Sequence, residues 1–224
     1  MKTKLFFTLI IFVFAATFAM AQTTDRSKIS FAFIGGVNFQ NLNGKAFNGD
    51  KLENDMLMGF HGGMNVQIPI APEFYFQTGV LFSTKGMKNK SVESTSTTKL
   101  SYIEIPLNLV YRAALGNGFV MLGFGPYLGY GIGGKVITKG SSATVENKIK
   151  FQNIVEAGDP DLVYYKAFDA GANIFAGYEM ASGIFMQLDT QFGMLNIHPE
   201  YKEFPVDKSI TKNTGFGLSL GYRF

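Results

Sequence analysis

The sequence predicts an all-β protein: a closed, eight-stranded, antiparallel, up-and-down transmembrane barrel. Three observations carry that prediction. Segments of strand length alternate bulky apolar with small or polar residues eight times along the chain. The connections between them alternate long and short. A secretory leader stands in front of the first segment. A bilayer-crossing strand needs roughly 9–11 residues, and barrels of this kind join their strands by short periplasmic turns and longer external loops.

The leader occupies 1–21. Lys2 and Lys4 form a positive start, Leu5 to Phe18 is apolar, and Ala19, Met20 and Ala21 give a small-x-small cleavage pattern that makes Gln22 the new N-terminus. Residues 22–224 are then one barrel domain. Loss of Lys2 and Lys4 takes the formal net charge from +3 to +1, so the mature chain has no basic bias toward nucleic acid. The chain has no Cys, which excludes a lipid-modified cysteine, disulfides and thiolate metal sites.

Eight strands follow by their period of two. The first, Ile29–Gln40, aligns Ile29, Phe31, Phe33, Val37 and Phe39. The second, Leu57–Ile70, sets Phe60, Met64, Val66 and Ile68 against His61, Gly63, Asn65 and Gln67. The third starts at Phe74 and runs to about Lys85, with Phe76, Val80 and Phe82 opposite Gln77, Gly79 and Ser83. The fourth, Leu100–Ala113, opposes Ile103, Ile105, Leu107 and Leu109 to Glu104, Asn108 and Arg112. The fifth, Phe119–Gly133, faces a bulky row against a row rich in glycine. The sixth and seventh, Ala167–Met180 and Ile184–Met194, put Asn173, Glu179, Gln187 and Asp189 on the minor face. The last, Asn213–Phe224, has Phe216, Leu218, Leu220, Tyr222 and Phe224 on one side and Gly215, Gly217, Ser219, Gly221 and Arg223 on the other.

Eight strands enclose room for side chains and little else. The continuous bulky set is too large for that interior, so it faces outward, and outward means lipid. A lipocalin-like soluble ligand-binding barrel would reverse the two faces. Outer-membrane lipid is therefore the first expected partner and the outer membrane the expected location. Phe74, Tyr111, Phe119, Tyr178, Tyr222 and Phe224 fall at strand tips and are expected to form one interfacial girdle. The remaining long connections are 41–56, 86–99, 134–166 and 195–212. Of these, 134–166 is the expected recognition surface for an envelope protein complex, and its Phe151, Ile154, Val155 and Leu162 suit packing over the mouth or docking. The Ser/Thr-rich segment 91–98 reads as disordered at its tip.

The chain resembles the PorT-like outer-membrane β-barrel proteins of Bacteroidota. The matching segments are Leu81–Gly86 (LFSTKG), Tyr102–Leu107 (YIEIPL), Gly123–Gly129 (GFGPYLG), Tyr165–Gly171 (YKAFDAG), Gly177–Glu179, Gly193–Ile197 and the terminal GYRF. The resemblance implies an eight-stranded outer-membrane barrel, OmpA/OmpX-like in architecture. It also implies a possible link to type IX protein secretion, and it carries over no catalytic residues.

The inward charges are Lys85, Arg112 and Arg223 against Glu104, Glu179 and Asp189. Three against three is the balance of a sealed lumen, since buried charges must be paired. Arg112, Glu179 and Arg223 are expected to meet near the periplasmic end. His61 and His198 are the two histidines. His61 and Asp189 face the lumen, but their spacing in sequence does not by itself place them as a base and its orienter. No catalytic, cofactor-binding or metal-binding residues are expected. The expected function is non-enzymatic, structural or partner-binding; a small-solute, porin-like channel is the alternative.

Overall fold

The computed structural model describes residues 28–141, 143–160, 162–203 and 207–224. The leader and its cleavage site lie outside the described residues, as does Asp161. The described strands are β1 (Ser30–Lys45), β2 (Leu57–Ala71), β3 (Phe74–Lys90), β4 (Ser94–Leu115), β5 (Gly118–Gly140), β6 (Thr144–Phe151), β7 (Ile154–Val155), β8 (Val163–Tyr165), β9 (Phe168–Met180), β10 (Ile184–Gly193), β11 (Glu200–Tyr201) and β12 (Ile210–Arg223).

Eight of these strands form a ring in the order β4–β3–β2–β1–β12–β10–β9–β5, and β5 pairs back onto β4. Every neighbouring pair in the ring is antiparallel. The start of β1, the end of β12 and three tight turns lie at one rim. Each of those turns places one residue in the left-handed region: Glu73 (φ 66°), Gly116 (φ 60°) and Gly183 (φ 87°). The two-residue turns at Glu73 and Gly116 favour such a conformation because its twist matches that of the strands, and the three-residue turn 181–183 closes on a left-handed glycine.

The ring turns its bulky residues outward. Leu188 and Leu220 are 63% and 61% exposed, while their chain neighbours Gln187 and Ser219 are buried. The alternation in the sequence is thus an alternation of wall faces.

The opposite end departs from the sequence reading. Segment 86–99 is a hairpin and not a long loop: β3 runs to Lys90, β4 starts at Ser94, and Thr95–Thr98 pairs with β5 as well as with β3. Segment 134–166 is likewise largely strand. β5 continues to Gly140 and turns into β6, which pairs with β5 and, in parallel, with β8. The reason is lateral pairing. β-branched Thr and Val fit a ladder whatever their polarity, and neighbours on both edges override a composition that suggests disorder.

The interior also differs. Besides the small and polar residues and the Tyr75 and Tyr102 that alternation places inward, it holds Met121, Tyr127, Phe175 and Phe185, all buried. Glycines opposite make room for them. A Cβ on Gly123 would lie 2.2 Å from the Phe175 ring, and one on Gly221 would lie 2.2 Å from the Phe185 ring. Large side chains therefore lie over the glycines paired with them on the neighbouring strands, Phe175 over Gly123 and Phe185 over Gly221.

Candidate functional site

The lumen gathers the polar chemistry of the chain into three layers. The outermost centres on Lys85, whose side chain is fully buried. Its Nζ lies 2.5 Å from Glu104 Oε1 and 3.3 Å from Asp169 Oδ2. The ammonium also stands 4.4 Å from the Tyr127 ring centre and 5.4 Å from that of Tyr102. Asp169 Oδ2 further accepts hydrogen bonds from the Tyr127 hydroxyl (3.0 Å) and Asn213 Nδ2 (2.8 Å), and Glu104 Oε2 accepts one from Gln191 Nε2 (3.0 Å). One lysine thus ties together β3, β4, β5, β9, β10 and β12. Alternation places these residues inward; the ring brings them to one height.

Above this layer the mouth is covered. Leu42, Leu100, Tyr102, Ile149, Tyr165 and Ile197 form a buried apolar cluster, with Phe151 packed against it. Phe151 meets Tyr102 edge-on at 6.3 Å. Ile154 and Leu162, in contrast, stay exposed.

The middle layer is a cavity of about 60 Å³ lined by groups such as Asn38, His61, Asn108, Asn173 and Asp189. Ser219 Oγ donates to Asp189 Oδ1 (3.2 Å) and lies 2.7 Å from His61 Nε2. His61 and Asp189 therefore do meet, but through a serine that sequence spacing did not reveal. The acid orients the hydroxyl rather than the imidazole, which is not the order of a nucleophilic triad.

The innermost layer is a Glu179 carboxylate held between Arg112 and Arg223, with the Arg223 bond at 2.9 Å. The Arg223 guanidinium also reaches Ser30 Oγ and Asn65 Oδ1, each at 3.4 Å. Level with it and toward the cavity lies the apolar cluster of Ala32, Ile34, Tyr75, Val110, Met121, Phe175 and Phe185.

Phe119 requires a correction. It shares the inward parity of β5, and the Arg112 guanidinium stands 4.0 Å from its ring centre. It caps the innermost ion cluster instead of joining an outward girdle. Phe74, Tyr111, Tyr178, Tyr222 and Phe224 lie on the outer face. Phe74 meets Tyr111 at 5.2 Å, Tyr222 meets Phe224 at 4.8 Å, and the Tyr178 hydroxyl donates to the Leu115 carbonyl.

Asp169 is the functional-layer residue that the sequence reading missed. It shares the parity of Asn173 and Glu179, so alternation does place it inward; at the very start of the strand, beside the exposed Phe168, it goes uncounted. Counting it, the lumen holds Glu104, Asp169, Glu179 and Asp189 against Lys85, Arg112 and Arg223, so the three-against-three balance does not hold. His61 is the one further titratable nitrogen in the middle layer.

Outside the wall, His198 Nε2 and Asp207 Oδ2 are 3.1 Å apart beside a polar groove that also includes Lys166 and Lys202. Partial burial pushes the Asp207 carboxyl up, but the Ser209 and His198 hydrogen bonds outweigh it, and the group titrates below the usual carboxylate range. Asp55 is held low by Lys90, and Asp159 by the Glu156 backbone N–H. No group of three His, Cys, Asp or Glu residues suited to a metal occurs among the described residues.

Residues of the segments that carry the PorT-like resemblance converge in this lumen. Lys85, Tyr102, Glu104, Tyr127 and Asp169 come from four separate segments, and Glu179 and Arg223 from two more. The profile of the family described as "Outer membrane protein beta-barrel domain" matches residues 20–198. No curated protein matches the chain. Among solved structures, the chain is similar to Ail, the attachment invasion locus protein of Yersinia pestis. One Ail structure shows 12% identity over 87% of this chain and 98% of that chain, with a TM-score of 0.38. A second, solved with the heparin analogue sucrose octasulfate, shows 16% identity over 88% and 99%, with a TM-score of 0.40.

Proposed function

Since the chain belongs to the outer membrane protein beta-barrel domain family, we propose that it spans the outer membrane as a closed, eight-stranded, up-and-down barrel with a plugged lumen. In this reading it is a non-enzymatic structural or partner-binding element of the envelope. The outward Leu188 and Leu220 meet hydrocarbon, and the rim aromatics sit at the interface. The short turns face the periplasm, and the β5–β6 extension with β8 faces outward as the partner surface. The PorT-like motifs point the partner search toward a type IX-like secretion machine.

The observation that carries the plugged reading is the Lys85 layer. An ammonium with no exposed surface, bonded to two carboxylates and flanked by two tyrosine rings, leaves no water path at its height. The cavity below it is small, about 60 Å³. That weighs against both a porin-like channel and an enzyme.

Two measurements test the proposal. In planar bilayers the purified protein is expected to give no steady conductance; porin-sized open levels would refute the plug. Affinity capture from detergent-solubilised outer membranes is expected to recover one envelope complex reproducibly. Recovery of the barrel alone would reject the partner-binding role.

A further inference from the structure

The outer face of the wall carries a row of like charges immediately above the apolar belt. Lys99 on β4 stands opposite Lys135 on β5, and Lys135 stands opposite Lys148 on β6. Directly opposed residues point to the same face with Cβ atoms about 5 Å apart, where like charges destabilise the pairing. Glu146 answers Lys135 at 3.1 Å. Lys99 and Lys148 have no carboxylate partner among the described residues.

The direction of the row follows from its neighbours. Leu100 and Tyr102 are fully buried, so Ser101 and Lys99 face out. A β-bulge, where Ser101 pairs with Gly133 but Tyr102 with Gly131, shifts the parity of β5 and turns Lys135 the same way.

The height follows from strand geometry. Lys99 is twelve residues above the rim residue Tyr111. That is about 40 Å along the strand, or about 28 Å vertically at a 45° tilt, slightly more than the ~25 Å apolar band of such barrels. The ammonium groups therefore stand at headgroup level.

Beside the row lies a crevice of about 380 Å³ bordered by Lys99, Lys135, Ser101, Gly133, Met58 and Phe60. Gly133 leaves it open, since a Cβ there would meet nothing within 4 Å. Met58 and Phe60 are exposed and give it an apolar flank.

The geometry points to a binding site for the phosphate-bearing headgroup of an outer-leaflet lipid. The lysine row takes the phosphate, and Met58 and Phe60 contact the first methylenes of the chains. A bound anion turns the repulsive row into a stabilising one, which explains why it is tolerated. A soluble anion would gain nothing from the apolar flank. The inference rests on the membrane-spanning reading above.

The test uses the full mature chain refolded in phosphatidylcholine vesicles with and without phosphatidylglycerol. After transfer to neutral detergent, retained lipid is counted by native mass spectrometry. Phosphatidylglycerol retention is expected, weakening with salt. Each lysine-to-glutamine change should weaken it about fivefold, and K99Q/K135Q/K148Q together about a hundredfold. The triple lysine-to-arginine variant should keep it. K99Q alone, which relieves repulsion, guards against misfolding of the triple variant. In lipid-free detergent its melting point should stay level or rise.

Equal retention by K99Q/K135Q/K148Q overturns the site. So does a folded wild type that retains no phosphatidylglycerol, or inorganic phosphate displacing the lipid as effectively as more lipid does. A wild type with no heat-modifiable folded band would instead sink the membrane reading itself.

Discussion

The two ion clusters in the lumen solve the same problem in opposite ways. At the outer end one cation, Lys85, serves two carboxylates; at the inner end one carboxylate, Glu179, serves two guanidiniums. The outer cluster is completely buried, whereas the Arg112 side chain keeps 13% exposure at the rim. Burial sets the consequence of losing the shared partner. A stranded charge deep in the barrel cannot rehydrate, but one near the rim can. The outer cluster should therefore be the less forgiving of the two.

The largest expected effect breaks that cluster. Lys85→Met leaves Glu104 and Asp169 facing each other without compensation, at a cost of about 3–5 kcal/mol. Urea titration of the heat-modifiable band in lipid measures it. A loss no larger than that of the inner cluster would overturn the ranking. Glu179→Gln should cost less, about 2 kcal/mol, because Arg112 can turn to water at the rim. Gly221→Val sharpens the comparison without touching charge. Its added carbons meet the Phe185 ring, which lies against Arg223, and overpacking of this kind costs about 1–3 kcal/mol.

The smallest effect concerns the outer loops. Asp55, Asp159 and Asp207 all have carboxyls held below the usual range. Such groups stabilise the loops above about pH 4, and that contribution disappears as pH falls through their lowered values. Relative to the intrinsic rate at each pH, amide exchange in 46–56, 194–203 and 207–209 should accelerate there while the ring amides stay protected. Equal acceleration in both would mean the ring, not the loops, responds to acid.

The same contrast between ends explains what was legible in the sequence. The membrane-facing half was readable because lipid outside and a narrow lumen inside force strict alternation, as in Phe216 to Phe224. Adjacent apolar pairs blurred the parity. Ile174 and Phe175 sit side by side, as do Ile184 and Phe185, so the inward phenylalanines were invisible. Phe119 next to Val120 misled the girdle assignment for the same reason. The glycines that receive these rings are their register partners on adjacent strands, and that register is not encoded in any local pattern. Above the membrane no solvent contrast imposes alternation, and the Ser/Thr-rich start of β4 is a strand because β3 and β5 flank it. Ser219 was seen only as a small inward residue; its place between His61 and Asp189 needs the ring.

The central claim is the orientation of the wall, and the chain's lack of cysteine makes it directly testable. Nitroxide labels are attached to Leu188→Cys and Leu220→Cys, and to Gln187→Cys and Ser219→Cys, in the protein reconstituted in lipid. The collision rate with molecular oxygen, which concentrates in hydrocarbon, is then measured. Labels at 188 and 220 should report high oxygen access, and labels at 187 and 219 low access. High access at 187 and 219, with 188 and 220 in a polar setting, would contradict the account.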